Sequence, residues 1–239
     1  MKEVVLVTGA SHGIGLEVIR QLTQKGMTVI LTARNEEKGR DVAQRLVDEG
    51  LQVHFLQLDV SETASVQDAA AKVEEDYGKL DVLVNNAAAF ADWSETAGSA
   101  DLEHSREVMD VNLFGPWRVT QAFLPLLKKS ENARIVNVSS GAGSHGETQF
   151  GLAAGPTTAS YAISKAALNA LTVKLAGELQ AEGIRVNSVD PGLTATAPGM
   201  EEMGARPVSE GASSVVWAAT LDKDGPTGGF YRDGQPLPW

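Results

Sequence analysis

The sequence predicts an α/β fold: a single domain over residues 1–239 in which one doubly wound parallel sheet of about seven strands carries helices on both faces. Three observations predict it. Short apolar runs recur at 4–7, 29–31, 53–58, 82–84, 135–138 and 184–189. Between them an apolar residue falls every three or four positions, as in Ile14, Val18, Ile19 and Leu22, then Val42, Leu46 and Val47, which is the spacing of one helix face. The third is length, since 239 residues suit one α/β core of up to ~250 residues. Val/Ile/Leu strands without alternation need cover on both sides, which amphipathic helices flanking a parallel sheet provide.

In chain order, the first strand ends in Thr8-Gly9-Ala10-Ser11-His12-Gly13-Ile14-Gly15 and enters a helix. Strand, glycine turn and helix make the context of a Rossmann-type dinucleotide site. Gly9 permits the tight turn, Gly13 lets the backbone approach a pyrophosphate, Gly15 lets the helix pack close, and the helix N-terminus attracts the anion. Ser11, His12 and Ile14 complete the cofactor loop; His12 either adds a donor to a phosphate or is an ordinary surface histidine. The second strand, 27–32, ends in Ala33-Arg34, where an NAD site places an acid on the ribose 2′-hydroxyl. No acid stands there, and Arg34 can pair with a 2′-phosphate, so the chemistry favours NADP(H). After the third strand, Asp59-Val60 either caps the adenine edge or closes a local turn. The fourth strand leads into Asn85-Asn86-Ala87-Ala88, the fifth into Ser139-Ser140, and the sixth into Pro191-Gly192-Leu193-Thr194-Ala195-Thr196. Gly26, Gly50, Gly78 and Gly183 stand where helices end. Two long loops, 141–158 and 191–207, are rich in Gly, Ala, Pro and Thr, and loops of that length in a compact domain are usually functional or mobile.

Tyr161 and Lys165 are four residues apart in a predicted helix, so both project from one face. A free phenol has a pKa near ~10, and an adjacent ammonium favours its phenolate, so Tyr161 can give a proton to a developing alkoxide or take one from an alcohol.

The T-G-x-x-x-G-I-G loop, the Asn86-Ala87 segment, the lone Asn112, the Ser139-Ser140 pair, Tyr161-x-x-x-Lys165 and Pro191-Gly192 come in one order along nearly the whole chain. In this the sequence resembles the short-chain dehydrogenase/reductase family. The resemblance implies Ser140, the second of the pair, as the group that holds the substrate oxygen, and Asn112 as holding a water that relays protons to Lys165. It also implies that Lys165 reaches the nicotinamide ribose, that Asn86 and Ala87 lie along the cofactor, and that Pro191, Gly192, Thr194 and Thr196 cover the nicotinamide and phosphate. Ala88 departs from the family's usual Gly. The 21 positions from Ser140 to Tyr161 exceed the family's usual spacing, and that insert, with 32–34 and 229–234, is similar to the carbonyl reductase branch. The implied activity is that of an NADPH-dependent carbonyl reductase or alcohol dehydrogenase acting on an apolar ketone or aldehyde. The alternatives are oxidation of one specific alcohol in a pathway, or an NADP(H)-sensing regulator without turnover. The region 191–207, with Met200 and Met203, reads as a substrate loop; Phe90, Trp93 and Phe150 either complete an apolar wall or are plain packing.

Lys plus Arg number 20 against 31 Asp plus Glu, a net charge of −11. That surface repels phosphate backbones and anionic headgroups, so neither a nucleic-acid nor a membrane partner is expected. With no cysteine, a disulfide scaffold, a thiolate metal site and a cysteine nucleophile are all excluded, and no metal site is expected. No apolar run approaches ~18 residues, and Met-Lys-Glu runs directly into the first strand, so the expectation is a soluble, unprocessed, cytoplasmic protein. By the resemblance it forms a homodimer or homotetramer through the helices at 115–129 and 160–182.

Overall fold

Val4–Val7 forms β1 and is buried at every residue, the condition of a strand covered on both sides. The structure, a computed structural model, describes residues 2–239. After β1 come α1 (Gly13–Gln24), β2 (Thr28–Ala33), α2 (Glu36–Asp48), β3 (Val53–Gln57), α3 (Thr63–Tyr77) and β4 (Val82–Asn85). The second half holds α4 (Leu102–Met109), α5 (Gly115–Leu127), β5 (Arg134–Val138), α6 (Ala159–Leu179), β6 (Arg185–Val189), α7 (Val208–Ala219), β7 (Phe230–Arg232) and β8 (Gln235–Pro236). The strands lie in the order β3-β2-β1-β4-β5-β6-β7-β8. The first seven run parallel and β8 returns antiparallel on β7.

The seven parallel strands meet the expected count, and β8 is an addition. It arises because Asp233 (φ 53°) and Gly234 (φ 75°) both take positive φ, the backbone that an Asp-Gly hairpin turn favours. Its two residues are exposed, so they carry no apolar signal.

Alternate strand residues serve opposite faces. Leu6, Ile30, Leu83, Ile135 and Val186 pack with Val66 of α3, Phe123 of α5 and Leu168 of α6. Val5, Val7, Val29, Val84 and Val136 pack with Ile19 of α1, Leu46 of α2 and Val215 of α7. Each such side chain, fully buried, stabilises the fold by about 1.5–3 kcal/mol. A buried polar chain fixes α6 over the sheet: Asn85 Nδ2 donates to Asn137 Oδ1 (2.8 Å), Asn137 Nδ2 to Thr172 Oγ1 (2.8 Å), and Thr172 and Ser188 share a hydroxyl bond of 2.8 Å.

Between α4 and α5 the chain winds as a π-helix over Asp110–Phe114, so α4 and α5 form one rod with a wider turn inside it. The sixth helix continues as a 3-10 turn, Gln180–Glu182. Gly26, Gly50, Gly78 and Gly183 end their helices with positive φ. Among the described residues no helix is long and apolar enough to cross a membrane.

Candidate active site

The strand order reverses between β1 and β4, and in such sheets the crevice beyond the strand C-termini at that switch point is where ligands bind. The loop after β1 lies there. Thr8 Oγ1 accepts from the backbone N–H of Asn86 (2.9 Å) and Ala87 (3.0 Å), while Asn86 Nδ2 donates to Thr8 O (2.8 Å) and Gly9 O (3.2 Å). The segments after β1 and β4 are therefore stitched face to face. Their closeness dictates the glycines: a Cβ on Gly9 would lie 2.8 Å from Ala87 Cα, and one on Gly15 would lie 2.5 Å from Asn86 Nδ2 and 2.9 Å from Ala10 Cα. Gly13 faces Thr196, whose Cγ2 would be 3.4 Å from an added Cβ. Helix α1 begins there with no acidic residue in its first turn and no side-chain cap from His12, so its N-terminal N–H groups stay available to an anion. His12 is exposed beside Ser11, and Ile14 packs on the apolar core below.

Arg34 is exposed at the end of β2 and makes no ion pair among the described residues, whereas Ala33 is buried. The Asp59 carboxylate accepts from the N–H (3.0 Å) and hydroxyl (2.6 Å) of Ser61, so it closes its own turn; Val60 beside it is buried. Beyond β6, Gly192 N–H donates to Asp190 (2.7 Å) and Thr194 Oγ1 to Gly192 O (2.9 Å). Thr194 and Pro191 are buried, and Thr196 is exposed over the glycine loop.

Ser140, Tyr161 and Lys165 come together where β5 meets α6. Lys165 is 2% exposed; its Nζ donates to Val138 O (2.9 Å) and stands 5.5 Å from the centre of the Tyr161 ring. Burial pushes the Tyr161 phenol up to about 12, with the Asp190 charge adding to it and a hydrogen bond with Ser140 acting the other way. Burial likewise pushes Lys165 down to about 8, against the pull of Asp190. The phenol thus keeps its proton at neutral pH, while the amine titrates close to it. Ser140 Oγ also accepts from Ala142 N–H (3.2 Å). Its neighbour Ser139 is buried and turned to Lys165 O.

Asn112 lies in the π-helical turn, fully buried. Its amide donates to Ala89 O (2.9 Å) and Ser164 Oγ (2.9 Å) and accepts from Ala89 N–H (2.8 Å). It pins the segment beyond β4 to the residue preceding Lys165. Phe90, next in that segment, stacks on Tyr161 with ring centres 5.0 Å apart at 17°. Trp93, Phe150 and Met203 are exposed. Loop 141–158 opens in a 3-10 turn, Gly141–Gly143, and is held by Ser144, whose hydroxyl donates to Pro238 O (2.7 Å). Loop 191–207 has a 3-10 turn at Glu201–Met203 and is tied down by the Arg206–Asp233 ion pair (2.7 Å).

Three residues at this site escaped the sequence reading. Thr8 stood within the glycine motif, but its hydroxyl bridging had no linear signal. Asp190, an acid just past the all-buried strand β6 and before Pro191-Gly192, carried a signal in the sequence of its own. Arg232, its partner, is distant in sequence.

Among the described residues no cluster of His, Cys, Asp or Glu fit for a metal is present. A short chain dehydrogenase family profile matches residues 3–205. "Short-chain dehydrogenase/reductase 1" of Saponaria officinalis is 32% identical, with 100% of this chain and 96% of the relative covered. (+)-Neomenthol dehydrogenase of Arabidopsis thaliana is 33% identical, with 95% and 94% covered. The crystal structure of an NADPH-bound carbonyl reductase from chicken fatty liver is similar over 100% of both chains, with a TM-score of 0.87 and 29% identity.

Proposed function

The chain belongs to the short-chain dehydrogenase family, and from that premise we propose an NADP(H)-dependent oxidoreductase that interconverts an apolar ketone or aldehyde and its alcohol, with Tyr161 as proton donor. One observation carries the reading: a proton-holding phenol, a buried amine and a serine hydroxyl converge at the strand ends beside the glycine turn. The residues fit a dinucleotide. The α1 N-terminus is free of acids, Gly13 leaves space under Thr196, and Arg34 is an exposed, unpaired cation at the end of β2. Bound there, NADPH supplies the hydride.

In this reading Ser140 donates to the carbonyl oxygen and holds it, and Tyr161 protonates that oxygen as it gains charge. Lys165 is held by Val138 O at one end of its reach and favours proton release from the phenol; it also holds the ribose. Asn112 keeps Ala89 and Ser164 in place through both of its amide N–H groups. The glycine loop and Thr196 hold the pyrophosphate, Arg34 the 2′-phosphate, Asn86, Ala87, Asp59 and Val60 border the cofactor, and Pro191, Gly192 and Thr194 cover it. The relatives' printed names, a carbonyl reductase and a neomenthol dehydrogenase, support an apolar carbonyl or alcohol as substrate. The test is loss of NADPH absorbance over a panel of aldehydes, aryl ketones, diketones and cyclic ketones. Turnover of at least one class is expected. NADPH binding with no turnover of any carbonyl or alcohol would favour a nucleotide sensor instead.

A further inference from the structure

At the catalytic end of the sheet one buried carboxylate has no role in the chemistry so far described. Asp190 is 3% exposed. The pairing of Val138 with Val189 sets it alongside Ser139, whose N–H donates to Val189 O (2.7 Å). One carboxylate oxygen accepts from Gly192 N–H (2.7 Å), and the other from Arg232 Nε (3.0 Å) and Nη2. The pair lies against the residue that follows Ser140, because a Cβ on Gly141 would lie 3.1 Å from both Arg232 Nη2 and Asp190 Oδ2.

Every charged group that faces this carboxylate can be placed. Arg232 reaches it from β7, and Glu147 from loop 141–158 lies 3.4 Å from Arg232 Nη2. Arg206 of the substrate loop contributes charge but directs its guanidinium to Asp233 (2.7 and 2.8 Å). From α6 come Lys165 and Tyr161, both of which feel the Asp190 charge.

We propose that Asp190 and Arg232 are positioning residues whose opposed charges, placed behind Ser140, set the pH at which Lys165 and Tyr161 exchange protons. This rests on the catalytic reading given above. A negative charge favours the ammonium of Lys165 and disfavours the phenolate of Tyr161, so it moves both groups to higher pH; a positive charge moves both to lower pH. Each charge is opposed by the other in the intact pair. Removing one therefore exposes the other, and the two removals act in opposite directions. Loss of a merely structural ion pair produces no such opposition.

The test uses the full chain and two readouts. The first is the pH profile of kcat/KM on any substrate found. The second needs no turnover: titration of the Lys165 side chain by 13C,15N NMR, with Lys165→Met to assign the signal. Asp190→Asn should move both midpoints to lower pH, and Arg232→Met to higher pH. Each shift should be about one unit, the effect of one charge across roughly 10 Å of partly desolvated protein. Arg232→Lys should keep the wild-type midpoint. If Asp190→Asn does not fold, the contrast of Arg232→Met with Arg232→Lys still decides. Shifts of the same sign, or no shift in either readout, overturn the proposal. If no substrate is turned over but the Lys165 titration moves in opposite directions as described, the charge coupling stands and only the catalytic reading fails.

Discussion

Tyr161 and Lys165 sit one helical turn apart, but they do not carry equal costs. Tyr161 keeps its proton at neutral pH because burial disfavours the phenolate, and the contribution proposed for it is to catalysis. Removing the hydroxyl by Tyr161→Phe preserves the ring and its stacking with Phe90. A general acid contributes typically ~10²–10⁴-fold, so kcat should fall by about that factor while NADPH affinity, read by fluorescence titration, stays near wild type. A variant retaining a tenth of the activity would remove the proton-donor role. Lys165 is different, because burial holds its amine down at about 8 from an ordinary 10.5. Between those values the folded chain binds fewer protons than the unfolded one, so stability rises with pH across that window. Below pH 8 the buried charge weighs on the fold in full. Lys165→Met should therefore stabilise the protein by about 3–4 kcal/mol at pH 7, given ~1.4 kcal/mol per unit of pKa, with activity lost. That gain should shrink toward pH 10.5. Denaturant unfolding at pH 7 and pH 10 measures both, and a variant less stable than wild type at pH 7 would contradict the argument.

At the scale of elements, the proposed site assigns the cofactor's parts to the segments that follow β1, β2 and β4. The glycine positions of the first were readable, because strand, turn and helix follow one another in the chain. Their reason was readable only in part: Gly9 and Gly15 answer to the close approach of Ala87 and Asn86, a neighbour that no local pattern announces. At β2 the sequence offered Ala33 and Arg34 together as the position that selects the cofactor. The structure separates them, since Ala33 is 5% exposed and a carboxylate there would be desolvated at a cost of its own. The discriminating change is Arg34→Leu alone. A hydrogen bond to a charged group contributes about 1.5–3 kcal/mol, so Kd for NADPH should rise about ten- to a hundredfold. Kd for NADH, which has no 2′-phosphate, should barely change. Equal weakening of both cofactors would place Arg34 away from the ribose.

For the whole molecule, the parallel sheet was legible because β1, β2 and β4 write themselves as nearly continuous apolar runs, and the order Ser140, Tyr161, Lys165 because α6 carries two of the three at helical spacing. The Asp190–Arg232 pair was not, because 42 residues separate the partners and only the pairing of β6 with β7 brings them together. Nor was the π-turn that buries Asn112, whose residues Asp110–Phe114 read as ordinary helix. The surface keeps one more feature of this scale. Phe114 (48% exposed), Trp117 (41%), Ile163 (52%) and Val173 (46%) lie on α6 and on the rod that ends in α5. Ile163 and Val173 share a helix stripe with Ala166 and Ala170, at i, i+3, i+7 and i+10, as one helix face requires. Exposed apolar residues of this kind suit an interaction surface, and the homodimer expected from the resemblance would cover this face with its own copy by two-fold symmetry. A stable interface of this kind buries about 800 Å² on each partner. Trp117→Glu with Val173→Glu would set carboxylates into its centre, opposite their own symmetry mates. Light scattering should then show the wild-type mass at two or four chains and the variant at half of that, with the far-ultraviolet dichroism unchanged. A wild-type mass of one chain would leave the stripe without a partner of its own kind.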